Sequence, residues 1–165
     1  MDFLYHLPHL QELTIDRCTF EAKIDANAFA SLRSLKSLDL TNIEFKICTT
    51  ESRESKKANT SYEYSKPTES KEGSLEWLEN LENLERFKLE QDTYSKFKFD
   101  ASFLRESKKL KAIELEINRQ KLDAECFEHF NDLIELGLSS VKMKNEEKLW
   151  ASIKNLEKLD ILIVE

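Results

Sequence analysis

Side chains able to do covalent or metal chemistry are few in this chain, and they are scattered. The cysteines are Cys18, Cys48 and Cys126, an odd number at wide spacing. Such a set builds neither a disulfide framework nor a zinc site. Cys126 and His129 are spaced like half a metal site, but no second pair accompanies them. His6 and His9 flank the region of Pro8 beside an apolar run and read as surface or packing residues. Cys18 is a nucleophile by residue type, yet its place inside a repeated apolar pattern predicts burial and inertness. No Gly-x-Ser-x-Gly elbow, Gly-rich phosphate loop or Ser/His/Asp spacing is present. Carboxylates number 32, so a pair of them carries little information. The chain is therefore expected not to be an enzyme, and no cofactor or metal is implied. Asn59-Thr-Ser61 is an N-glycosylation sequon if the chain is secreted. In a cytosolic chain, Tyr62, Tyr64 and the neighbouring hydroxyls are phosphate acceptors.

Composition narrows the class. A length of 165 residues with a 40% hydrophobic fraction suits one domain with a real core. The net charge of -7 disfavours non-specific binding to nucleic acid or anionic membrane, which needs excess Lys and Arg. No apolar run approaches the ~18 residues of a membrane span. Met1 to Pro8 lacks the basic and apolar regions of a signal peptide. Compartment thus depends on what precedes this segment: extracellular or receptor ectodomain if a signal peptide does, cytoplasmic otherwise.

What organises the chain is a recurring apolar spacing. Leu10, Leu13, Ile15, Cys18 and Phe20 fall at offsets i, i+3, i+5, i+8 and i+10, and Leu35, Leu38, Leu40, Ile43 and Phe45 repeat them. Further copies begin at Leu84, Leu110, Leu133 and Leu156. The intervals are 25, 49, 26, 23 and 23 residues. Within each copy the i+3 and i+5 residues alternate as in a short strand with one apolar face. The sixth copy is read as Leu156, Leu159, Ile161 and Val164. At the i+8 turn, Asn118 has a side chain able to satisfy backbone groups, and Cys18 only a weak one.

A second signature precedes three of the strands. Ile24-Asp-Ala, Phe99-Asp-Ala and Leu122-Asp-Ala are each followed closely by Phe, at 29, 103 and 127. The offsets from Phe29 to Leu32 and from Phe127 to Phe130 suit a single turn of α or 3₁₀ helix packed inward. The Asp is placed to accept a backbone N–H at the start of that turn. Leu75, Leu78, Leu81, Leu84 and Phe87 are spaced by three, a stripe that drifts around a 3.6-residue helix and ends in the alternating Phe87-Lys-Leu89. A short helix from Ser74, as N-cap, to about Asn80 is expected, with Trp77 and Leu78 facing inward. The doubled interval contains residues 49–73, which are crowded with Ser, Thr, Glu and Lys and nearly free of aliphatics. This segment is expected to be a mobile polar insertion rather than a degenerate repeat.

With its L-x-x-L-x-L-x-x-[N/C]-x-L spacing recurring six times, the chain resembles the leucine-rich repeat superfamily over nearly its whole length outside the insertion. The Phe-x-x-Leu lead-in at Phe29 and Leu32 looks most like the typical class of extracellular and Toll-like receptor repeats. The resemblance implies an α/β fold: a curved leucine-rich repeat solenoid, with a parallel β-sheet on the concave face and short helices and loops on the convex face. It also implies a single domain over 1–165 and a receptor-like role in protein binding. The alternative is a structural segment of a larger repeat receptor or adaptor, with no binding site of its own. Leu38, Leu40, Leu89, Leu115, Leu136 and Leu138 should form the inward row.

Strand alternation then places the intervening residues on the open face in three columns. The first is Glu12, Ser37, Arg86, Ala112, Glu135 and Lys158. The middle is Thr14, Asp39, Lys88, Glu114, Gly137 and Asp160. The last is Asp16, Thr41, Glu90, Glu116, Ser139 and Leu162. Asp16, Asp39, Arg86, Lys88, Glu90, Glu114, Glu116, Gly137 and Asp160 are the expected partner-binding residues. Gly137 is expected to leave a gap for a partner side chain, and the acidic excess favours a protein partner with a basic surface. Neither nucleic acid nor direct membrane insertion is expected. Neither end carries an evident polar cap, so the reading expects a fragment of a longer repeat protein, or a last strand that meets a partner edge.

Overall fold

In the computed structural model, residues 2–20, 26–45, 75–91, 99–118, 121–122, 124–143 and 145–165 are described. Six strands form one parallel sheet in sequence order: β1 (Glu12–Asp16), β2 (Ser37–Thr41), β3 (Arg86–Gln91), β4 (Ala112–Ile117), β5 (Glu135–Ser139) and β6 (Ile161–Val164). Parallel neighbours cannot be joined by a hairpin, so each connection crosses the opposite layer through a helical turn. Those turns are 3₁₀ helices at Asp2–His6, Glu76–Asn80, Ala101–Leu104 and Ala124–Phe127, with α1 (Ala26–Ala30) after the first of them and α2 (Glu146–Lys154) after the last. They touch one another in the same order as the strands. Strands stack ~4.8 Å apart, whereas packed helices need ~8–10 Å, so the sheet lies on the inside of the curve. Two-residue parallel bridges, Thr19–Phe20 with Glu44–Phe45 and Lys121–Leu122 with Lys142–Met143, line the turns leaving the strands.

The sheet is held in register by a repeated backbone device. The carbonyls of Gln11, Lys36, Glu85, Lys111 and Ile134 each accept two successive N–H groups from the next repeat. The pair from Lys36 and Ser37 to Gln11 is the first, and the pair from Asp160 and Ile161 to Ile134 the last. Beneath the sheet, Leu38, Leu40, Leu89, Leu115, Leu136 and Leu138 are all at most 1% exposed. They form the expected inward row. No repeat could bury these residues alone, and stacking supplies the missing walls.

The spacing of three has a direct structural meaning. Leu78, Leu81 and Leu84 each donate their N–H to the carbonyl three residues earlier. The same bond recurs from Leu32 to Phe29 and Leu35 to Leu32, from Phe130 to Phe127 and Leu133 to Phe130, and from Leu156 to Ile153 and Leu159 to Leu156. Three residues per turn keeps every third side chain on one face, so the stripe does not drift. Leu75, Leu78, Leu81 and Leu84 are buried accordingly. The helix expected from Ser74 is a 3₁₀ turn whose N-cap is Leu75, without a side-chain cap bond. Ser74 itself lies outside the described residues, as do Asp25, Asp123 and the insertion 49–73. Asp100 caps as expected: its Oδ1 accepts from the Ser102 N–H at 2.9 Å.

The turn after each strand takes one of two forms. Arg17, Asn42 and Ser140 have left-handed backbones, with φ of 48°, 47° and 57°. In β3 and β4 the strand runs one residue further, pairing Gln91 with Ile117. Both side chains then point inward and are buried. With its amide oxygen toward the Ile43 N–H and its amide nitrogen toward the Ile43 carbonyl, Gln91 bonds both, at 3.2 and 3.3 Å. Asn118 Nδ2 donates to the Gln91 carbonyl at 3.3 Å, the backbone role expected of it. Cys18 departs from expectation. It is exposed, its Sγ donating to the nearby Asp16 carbonyl at 3.3 Å, because β1 is an edge of the sheet.

The sixth strand also departs. Its register pairs Ile161 with Glu135, Leu162 with Leu136, Ile163 with Gly137 and Val164 with Leu138. The sixth copy therefore begins at Leu159, three residues later than read. Leu156 instead occupies the place of Leu32, Leu81 and Phe130 in the period-three run. Lys158, Asp160 and Leu162 consequently leave the open-face columns. Ile161 and Ile163 take the first and middle places, and Asp160 enters the strand beside Ile134.

Candidate recognition face

Each concave-face side chain is positioned by strand alternation, and the observed pairings define the columns. Glu12, Ser37, Arg86, Ala112, Glu135 and Ile161 align along the first. Thr14, Asp39, Lys88, Glu114, Gly137 and Ile163 align along the middle. Asp16, Thr41, Glu90, Glu116 and Ser139 align along the last.

At the centre the charges form a chain across three strands. Arg86 lies 3.3 Å from Glu135 and 3.9 Å from Glu114. Lys88 lies 3.4 Å from both Glu114 and Glu90. Such part-exposed pairs add little stability, but they fix the side-chain directions. Partial burial of Lys88 pulls its pKa down, yet Glu114, Asp39 and Glu90 outweigh it and the net shift is upward, so the ammonium stays charged. Asp39 accepts a hydrogen bond from Thr41 Oγ1 at 3.0 Å. Asp16 pairs with Arg17 at the first strand, away from the cluster. Glu116 is exposed and has no ion pair among the described residues. Around Arg86 and Lys88 stand Asp39, Glu90, Glu114, Glu116 and Glu135, five carboxylates against two cations.

Gly137 does not leave the expected opening. It is buried, and a Cβ there would stand 3.4 Å from Glu114 Cγ, because the glutamate stem already lies over it. Sequence reasoning also missed Ile161 and Ile163. Their signal was the unbroken run Ile161-Leu-Ile-Val164, which offers apolar side chains to both faces at once.

Other chemistry is sparse. Cys126 is half-buried and His129 exposed. Among the described residues no group of three His, Cys, Asp or Glu is arranged to hold a metal. No helix among them is long and apolar enough to cross a membrane.

A six-stranded parallel sheet with one short helical crossover per strand, on an L-x-x-L-x-L core, is the fold of the leucine-rich repeat superfamily. Among solved structures, internalin C2 from Listeria monocytogenes matches 100% of this chain with a TM-score of 0.60 at 17% identity, and this chain spans 56% of that one. Another internalin of the same species aligns with 99% of the chain and shows a TM-score of 0.43 at 14% identity, the chain spanning 50% of it. The likeness to internalin C2 shows the fold. No protein-family model and no curated protein matches this chain.

Proposed function

We propose that this chain is a protein-recognition module that docks its partner on the concave sheet face. The observation that carries this reading is the alignment of non-core side chains into three columns on a rigid, in-register sheet. Binding groups held on strands are preorganised, so ordering them on association costs little. The acidic excess around Glu90, Glu114 and Glu116 favours a partner with a basic surface, contributing steering and specificity more than raw affinity. Asp16 and Asp39 extend the acidic character toward the first strand, while Arg86 and Lys88 hold the glutamates in place.

The partner is first isolated by affinity capture from the native source. Glu90, Glu114 and Glu116 are then reversed together to Lys, and residues 49–73 are separately replaced by a short Gly/Ser linker. The reversal is expected to slow association and flatten its salt dependence with the fold intact. If the reversal leaves capture unchanged while the replacement abolishes it, the binding site is the insertion.

A further inference from the structure

The concave face is not uniformly charged. Over repeats five and six it turns aliphatic: Ile161 and Ile163 point outward from β6 and are 44% and 45% exposed. Ile134, at the strand-entry rim beside them, is 40% exposed. These three are the large apolar side chains exposed on this part of the face. Leu162 and Val164 stand in the inward rows, opposite Leu136 and Leu138, and are 44% and 43% exposed because β6 is an edge of the sheet, so it is the register that sets Ile161 and Ile163 on the open face. Two β-branched residues side by side on an exposed sheet face gain nothing for the fold by being apolar, because no core lies above them.

The cations beside this patch, Lys111 and Lys158, are engaged by Glu85 and Asp132, whereas the carboxylates that border it are not. Asp160 precedes it at the strand-entry rim, Glu165 follows it, and Glu116 stands two strands and one column from Ile163, about 12 Å away. All three are exposed and carry no ion pair among the described residues. The two basic residues in the concave columns from β2 to β6, Arg86 and Lys88, are both held by glutamates. An apolar floor with an unneutralised acidic border complements a segment whose aliphatic side chains are flanked by Lys or Arg.

Resting on the recognition role above, we infer that repeats five and six receive an amphipathic segment of another protein, its aliphatic side chains on Ile161 and Ile163 and its basic side chains on Glu116, Asp160 and Glu165. Burial of the isoleucines supplies affinity, in proportion to the apolar area removed from water. The carboxylates orient the segment and reject acidic competitors.

The probe is a displayed library of random peptides, selected on the immobilised full chain. Recovered peptides are expected to pair aliphatic residues with Lys or Arg. Their affinity should fall about tenfold or more on the double substitution Ile161→Ser/Ile163→Ser. The substituted side chains are exposed, so far-UV circular dichroism and melting temperature should be unchanged. Asp160→Asn/Glu116→Gln should weaken binding less at high salt than at low salt. Recovery of acidic or wholly polar peptides, or of none that the isoleucine substitutions weaken, overturns the inference. Reversal of Glu90, Glu114 and Glu116 separates the two levels. Peptides weakened by the reversal but not by the isoleucine substitutions leave the concave-face role standing and remove this inference. Peptides indifferent to both remove both.

Discussion

Ser140 turns the chain out of β5 with φ of 57°, and Arg17 does the same after β1 with 48°. A left-handed backbone crowds Cβ against the following carbonyl, at about 1–2 kcal/mol for an ordinary residue, while Asn tolerates it and Gly escapes it. Ser140→Gly is therefore expected to raise stability by ~0.5 kcal/mol, part of the strain relief being lost to the freer unfolded chain. Asn42→Gly, at φ of 47°, should be close to neutral. Chemical denaturation of the two variants side by side tests the assignment. Ser107 makes the opposite case. It is the polar member of a row otherwise apolar, 1% exposed, and its Oγ donates to the Leu81 carbonyl of the preceding repeat at 2.9 Å. Ser107→Ala removes that donor from a buried carbonyl and should cost ~1–3 kcal/mol, read as a lower denaturation midpoint. Asn42 suits its turn because Asn tolerates that conformation, yet neither it nor Ser107 stands out in the sequence: a serine among leucines looks like surface until the repeat before it is stacked above.

Strands β1 to β5 can be read from the sequence because polar residues interrupt the apolar ones and leave a single register. At Leu10-Gln-Glu-Leu13, Glu12 forbids an earlier start. At the sixth repeat that check is absent. Leu156, Leu159 and Ile161 fit the spacing as well as Leu159, Leu162 and Val164 do, and only backbone pairing with β5 decides between them. The turns at the Asp-Ala signatures and the helix before β3 are legible in place, whereas α2 and the turn at Asp2–His6 carry no such signature and are not. The longest element, α2, has its own cap: Asn145 Oδ1 accepts from the Lys148 N–H at 3.1 Å. Asn145→Ala should cost about 1 kcal/mol and show as fraying of α2 in hydrogen exchange, with β5 unaffected. Between elements, Glu85 hydrogen-bonds Lys111 at 2.9 Å, and that bond with the lysine charge lowers its carboxyl pKa. Asp132 is lowered likewise by its hydrogen bond to Lys158. A lowered folded-state pKa means stability present above the unfolded value and lost as pH falls through the folded one. Both carboxylates face solvent, so the loss below about pH 4 should be small and should vanish in high salt.

At the scale of the molecule, each repeat touches only its neighbours, so stability behaves as a sum of local terms. Leu136→Ala should cost ~2–5 kcal/mol and deprotect mainly β4 to β6 in hydrogen exchange. Uniform deprotection from Leu10 onward would contradict that picture. The stack also makes a definite statement about the doubled interval. β2 pairs directly with β3, Ser37 with Arg86 and Leu38 with Phe87, and the Lys36 carbonyl receives Glu85 and Arg86 as every other junction does. The helical layer closes the same gap, α1 meeting the 3₁₀ turn at Glu76–Asn80. Both layers thus join repeat two to repeat three across residues 49–73. Loop-closure entropy changes slowly with length, so shortening a long connection costs the folded state little. Replacing 49–73 with a short Gly/Ser linker is accordingly expected to leave the melting temperature nearly unchanged. It should also leave hydrogen-exchange protection of β2 and β3 intact. Unfolding, or selective loss of protection at Leu38, Leu40 and Leu89, would show that the segment supplies packing to this junction and would assign it a structural place in the stack.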